Sequence, residues 1–220
     1  MRAYRDLLSD DPAWPGIAAL VAEARTPTVV LPPTPDAARA CLEGLQVTTR
    51  STLGAIAHET GGMLVDHGWL RILGCGHPTF TRRIGQWNAD LGVPFGQLLI
   101  VADDVVGGVF AINAGALGPA RGNVFYFAPD TLRWEDTERG HSAWLHWVLA
   151  GDVALYYQDM RWPGWESEIA QLRADRALSL YPFPWTVEGQ DIARVSRRSV
   201  PAAELWRFQM DMAAKLDPRS

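Results

Sequence analysis

The sequence predicts an α+β protein, a central and mostly antiparallel sheet flanked by helices. Four strand-like runs, 97–102, 108–113, 123–128 and 132–135, are separated only by short stretches rich in Gly, Asn, Asp and Pro. Consecutive runs lie too close together for the helical crossover that parallel neighbours need. Capped, apolar-striped helical segments precede and follow this block, an order that points to α+β architecture.

The elements can be justified in chain order. WPGIAALVAEA (14–24) reads as a helix with Pro15 in its first turn, and TVVLPP as a short strand stopped by two prolines. TPDAARACLEGL (34–45) is a second helix with Thr34 as its cap. STLGAIAHETGG (51–62) places Leu53, Ile56 and Ala57 on one helical face and ends at Gly61-Gly62. LVDHGWLRILGCG spaces Val65, Trp69, Ile72 and Leu73 as a helical stripe, with a strand as the alternative because of Gly68 and the β-branched residues. FTRRIGQWN sets Phe80, Ile84 and Trp87 along a short helix.

After the β-rich centre, Ser142 is the expected cap of SAWLHWVLAG, whose inner face is Trp144, Leu145 and Val148. WPGWESEIAQL (162–172) is a further helix, with Ile169 and Leu172 inward, and LSLYPFPW a strand ended by proline. VPAAELWRFQMDMAAKL is the terminal helix, starting near Pro201 with Leu205, Phe208 and Met212 as its stripe.

With 220 residues and 48% hydrophobic content the chain can bury one large core. Ten tryptophans are many for this length, and each indole N–H needs a partner, which places some of them at surfaces or grooves. No apolar run reaches the ~18 residues of a membrane span, and MRAYRDLLSDDPAW carries charges where a signal peptide needs an apolar core; the expected location is cytoplasmic. Cys41 and Cys75 read as two buried thiols. Residues 85–170 hold eleven acids against four bases, a balance that repels phosphate and attracts a basic partner.

Catalytic and metal motifs do not close. His58-Glu59 begins like a zinc-protease helix, but Gly62 stands where the second His belongs. GCGHPT (74–79) departs from a dinucleotide loop at Thr79, and Lys215 is followed by Leu rather than Ser or Thr. No cofactor, metal or catalytic set is therefore expected. Asp103 and Asp104, with Asn113, are the remaining cleft candidates for a small-molecule site or an enzyme. Their plainer reading is capping and turn formation. The acidic stretch after the third strand, with Trp134, Glu135, Asp136 and Glu138, is the candidate partner-binding surface, while Asp130 reads as a turn residue capping backbone N–H groups.

LGAIAHETGGMLVDHGWLRILGCG, followed by Gly107-Gly108, the run Val124 to Phe127, Asp130 and Trp134-Glu135, resembles the SUKH superfamily. WLRILGCGHP, VADDVVGG, YFAPDTLRWED, RWPGWE and YPFPWT are similar over nearly the whole chain to a bacterial family known as domain of unknown function 2625. The resemblance implies a single SUKH-like α+β domain over 1–220, with additions at 1–50 and 151–220 packed on it. It also implies a role by binding: bacterial SUKH proteins are often immunity proteins that neutralise toxins, and fungal ones act through protein partners. The expected partner is a protein, basic in character, with neither nucleic acid nor membrane bound.

Overall fold

The computed structural model describes residues 1–151 and 153–216. In chain order the elements are α1 (Trp14–Ala22), β1 (Thr28–Leu31), α2 (Pro35–Leu45), α3 (Thr52–Glu59), β2 (Gly62–Val65), β3 (Leu70–Leu73), α4 (Gln86–Asp90), β4 (Leu98–Asp104), β5 (Val109–Asn113), β6 (Asn123–Ala128), β7 (Arg133–Gly140), α5 (His141–Ala150), α6 (Val153–Tyr156), α7 (Trp165–Ala170), β8 (Arg176–Tyr181), β9 (Ser196–Pro201) and α8 (Ala202–Leu216). Strands β1 to β7 form one seven-stranded antiparallel sheet in sequence order, and β8 pairs with β9 in a separate hairpin. The fold is α+β, as the closely spaced strands imply.

Strand β4 is buried along its whole length because it is the central strand and both its faces are covered. Phe110 and Tyr126 are register partners that stack at 4.5 Å, and Phe110 meets Trp144 of α5 at 5.3 Å. Phe127 points to the other face and meets Trp206 of α8 at 5.3 Å. The alternation of the strands thus sends large aromatics both ways, and a helix caps each side. Ile17 of α1, Met63 of β2, Leu180 of β8 and Trp206 belong to one continuous core. The first fifty residues add β1 to the main sheet, and the last seventy bring β8, β9 and α8.

Several local expectations change in three dimensions. Residues 62–73 form the hairpin β2–β3 and not a helix, with partners from Gly62↔Leu73 to Val65↔Leu70. Asp66, His67 and Gly68 turn the chain with positive φ of 54°, 58° and 88°. The helical spacing of Val65, Trp69, Ile72 and Leu73 was incidental: β3 is internal and entirely buried, so no in-out alternation marks it. Ser142 does not cap α5; the helix starts at His141 after Gly140, and Ser142 Oγ lies 2.6 Å from Thr52 Oγ1, joining α5 to the first turn of α3. Thr34 does cap α2, accepting from Ala37 N at 3.4 Å. Pro201 ends β9, a strand whose Ser-Arg-Arg-Ser composition hid it. Cys41 and Cys75 are buried free thiols, and burial pushes Cys41 up to about 12.

Two predictions follow from the packing. Phe127 is 1% exposed at the sheet–α8 contact, so Phe127→Ala should cost ~3–5 kcal/mol in denaturant melts. A loss below ~1 kcal/mol would remove the sheet–α8 contact from the core. The second concerns His141, whose ring stacks on Trp144 at 5.7 Å and whose Nδ1 is buried without a partner. Burial lowers its pKa from 6.5 to about 4. The residue is half-buried overall, but its orphaned nitrogen is interior, out of reach of the solvent that would stabilise a proton. As pH falls from 6.5 towards 4, the unfolded chain binds a proton that the folded chain refuses, and stability falls. Melts of His141→Gln should show a shallower loss across that window than the parent protein.

Candidate functional site

The sequence's acidic stretch lies on β7, one edge of the main sheet. The β6–β7 turn is closed by backbone: Leu132 N–H donates to Ala128 O at 2.8 Å, and Leu132 takes φ 54°. Asp130 is exposed, and among the described residues no backbone N–H donates to its carboxylate, so it is not the turn cap expected of it. The register pairs Phe127 with Trp134 and Tyr126 with Glu135, so successive β7 side chains leave opposite faces of the sheet.

On one face Trp134 is half-buried, set edge-to-face on Phe127 at 5.5 Å and 6.2 Å from Trp206. With Trp185, Met210 and Ala213 it lines an open groove of about 1230 Å³, and Asp130 and Glu135 stand among its walls. On the other face Tyr126, Tyr156 and Glu135 are shared by two adjoining hollows of about 360 and 500 Å³. Glu135 therefore stands where all three depressions meet.

The four candidate contact residues separate by what they touch. Glu135 and Glu138 are exposed, and among the described residues Glu135 accepts a single bond, from Thr131 Oγ1 at 3.2 Å. Asp136 is exposed but engaged: its Oδ1 accepts from Glu138 N at 2.8 Å and its carboxylate from Asn123 Nδ2 at 3.0 and 3.1 Å. Those bonds hold a bulge. Arg139 faces Val124 while Asp136 faces Phe125, which leaves Thr137 and Glu138 as extra residues, and Glu138 takes φ 57°.

The cleft candidates all point inward. Asp103 is 4% exposed and held between two arginines, with Arg71 Nε 2.7 Å from Oδ1 and Arg82 Nη2 2.9 Å from the same oxygen. Arg82 Nε also lies 2.9 Å from Oδ2, an ion pair out of hydrogen-bond alignment. Arg71 donates further to the carbonyls of Asp104 (2.8 Å) and Arg176 (2.5 Å), and Arg82 to that of Ala174 (2.6 Å). Burial lowers Arg82 to about 10, with Asp103 opposing the shift.

Asp104 accepts four bonds: from Val106 N (3.0 Å), Gly108 N (2.8 Å), Tyr126 Oη (2.7 Å) and Tyr157 Oη (3.2 Å). Burial raises its pKa against those donors. A Cβ on Gly108 would come 2.1 Å from Asp104 Oδ2 and 2.3 Å from Tyr126 Oη, which explains the second glycine of VADDVVGG. The space beside Asp103 and Asp104 amounts to about 10 Å³, room for no more than about one water. Asn113 is likewise interior, accepting from Gly115 N and Leu117 N and donating to Gly118 O and Ala120 O to hold the 114–122 loop.

The candidate surface also includes residues that the sequence did not single out: Tyr156, Trp147 and Trp185. The pair Tyr156-Tyr157 carried a faint signal, since adjacent residues on a helix diverge; Tyr157 is 1% exposed and Tyr156 43%. Nothing local connects that pair to β7. Most tryptophans do build the core, among them Trp69, Trp144 and Trp206. Trp69, Trp162 and Trp165 cluster together, and the Arg161 guanidinium, paired with Asp66, lies 4.2 Å from the Trp165 ring centre. Among the described residues no three His, Cys, Asp or Glu side chains are grouped to hold a metal ion, and no helix is long and apolar enough to cross a membrane.

The arginine pair supplies a stability prediction. Asp103→Ala leaves two buried guanidinium groups without their counter-charge and should cost ~3–5 kcal/mol by chemical denaturation. A cost under ~1 kcal/mol would show that the carbonyls alone satisfy both arginines.

Comparison with known proteins places the chain among relatives of similar length. It is 41% identical over 213 residues to the uncharacterised protein YbfG of Escherichia coli (strain K12), covering 96% of this chain and 97% of YbfG. It is 34% identical over 174 residues to an uncharacterised protein of Haemophilus influenzae, covering 77% and 76%. No solved structure matches it. The family described as protein of unknown function DUF2625 matches residues 5–205, and the chain belongs to that family.

Proposed function

We propose that this chain is a protein-binding module, related to the SUKH proteins, that holds a basic partner against the acidic-aromatic face of β7. The carrying observation is the meeting of three depressions at Glu135, with Trp134 on one side of the edge strand and Tyr156 on the other. An aromatic side chain part-sunk beside uncompensated carboxylates is the arrangement by which a few residues dominate a contact. The inward-turned Asp103, Asp104 and Asn113 support a binding role over a catalytic one, because their polar atoms are committed to the fold. The SUKH resemblance suggests the type of partner: a toxin to be neutralised or a protein to be regulated.

The test reverses charge where the fold does not need it. Glu135→Arg with Glu138→Arg leaves Asp136 and the bulge intact, and should alter stability by less than ~0.5 kcal/mol. Proteins captured from a cell lysate by the immobilised parent chain should be lost with the double variant and released by added salt. The same proteins captured equally by both forms, with no salt dependence, would refute an acidic contact face.

A further inference from the structure

The hollow on the Tyr126 side of β7 has the composition of a cation site. Tyr126 and Tyr156 lie 5.8 Å apart at 70°, and Tyr156 and Trp147 5.1 Å apart at 86°, so the exposed Tyr156 and the half-buried Trp147 wall a space of about 360 Å³ whose floor is the buried Tyr126. The adjoining hollow shares Tyr126, Tyr156 and Glu135. Among the described residues the two are lined by the carboxylates of Asp130, Glu135, Asp136, Glu138 and Asp159 against a single cation, Arg139. Exposed charges on an edge strand also discourage strand pairing, but that role needs no aromatic walls. Arg139 itself shows what the rings accept: its guanidinium sits 5.7 Å from the Trp147 ring centre while Nη1 donates to Thr137 O at 2.7 Å.

We infer that this hollow receives an arginine side chain of the protein partner, held against the rings of Tyr156 and Trp147 over a floor of Tyr126 and paired with Glu135 and Glu138. The inference rests on the binding role proposed above and names its specificity pocket. Arginine fits better than lysine because a flat guanidinium stacks on aromatic faces and offers a fork of donors to carboxylates, whereas an ammonium is a compact and strongly hydrated charge. Asp136 is already engaged by Asn123 and by the bulge, which leaves Glu135 and Glu138 to pair with the incoming group. Burial raises the Tyr156 phenol most, the interior Asp104 next, and Glu135 and Asp130 add to the same direction. In the unbound protein Arg139 acts as a resident competitor over Trp147.

The probe is the peptide acetyl-Gly-Arg-Gly-amide, with its neutral citrulline counterpart and choline as controls, followed through the Trp147 indole resonance by NMR titration. The arginine peptide should shift that resonance saturably, and the citrulline peptide should bind at least about tenfold more weakly. Glu135→Gln with Glu138→Gln should weaken the arginine peptide. Arg139→Ala should strengthen it several-fold by clearing the Trp147 face, an effect that a merely electrostatic surface would also give for choline, and to the same degree. No saturable shift, equal binding of the citrulline peptide, or choline binding as tightly as arginine would overturn the assignment. Should the peptide fail while the double charge reversal still removes captured partners, the pocket is wrong and the acidic face stands; the opposite pair of results keeps the pocket and removes the face.

Discussion

Two buried arginines sharing one aspartate bind the separate parts of this protein into one. Arg71 on β3 and Arg82 after the β3 turn both close on Asp103 of β4, and both reach carbonyls of the segment that leads into β8. The cluster places two guanidinium groups in the interior around one shared carboxylate. Removing such groups from water costs several kcal/mol each, so they persist only where carbonyls and a carboxylate replace the lost hydration. Ala174 and Arg176 supply those carbonyls. The C-terminal part is therefore a necessary component of the polar core, since without it the two guanidinium groups would have one carboxylate and too few acceptors.

Asp104, one residue on, does the same for the opposite face. It fixes the β4–β5 turn through Val106 and Gly108 and ties in the end of α6 through Tyr157, the residue that follows it, while its partner Tyr126 carries the connection to β6. Because Tyr126 pairs in register with Glu135, and Tyr156 adjoins Tyr157, the rigid interior network ends directly behind the β7 surface. The arginine pocket we infer thus has a floor anchored on a buried carboxylate, and its rings are held in place before any partner arrives. The rim, by contrast, is a bulged edge strand whose exposed acids keep it from pairing with other strands.

Much of this was legible in the chain. The four-strand block and the capped helix at 35–45 follow from local turn chemistry and periodicity, which depend on neighbours in sequence. So did the acidic character of 85–170 and the exposure of Glu135 and Glu138. The β2–β3 hairpin was not, because a strand buried on both faces loses the alternation that would reveal it, and Val65, Trp69, Ile72 and Leu73 mimic a helix. β9 was hidden for the opposite reason: it is a mostly exposed strand whose arginines and serines look like a loop.

By itself the sequence determined the fold class, the positions of the central strands along the chain and the sign of charge on the candidate face, since each is a local or additive property. Only the tertiary structure decided which charges are interior and which face solvent. Asp104 and Asn113 cap backbone N–H groups, the plainer of their two sequence readings, while Asp103 is committed to Arg71 and Arg82 and Asp136 to Asn123, donors that only the fold brings near. The same holds for Tyr156 and Trp147, which meet β7 only after α5 and α6 pack down. What a carboxylate or an aromatic ring does depends on the donors, charges and solvent within a few ångströms of it, and in this chain most of those neighbours are distant in sequence.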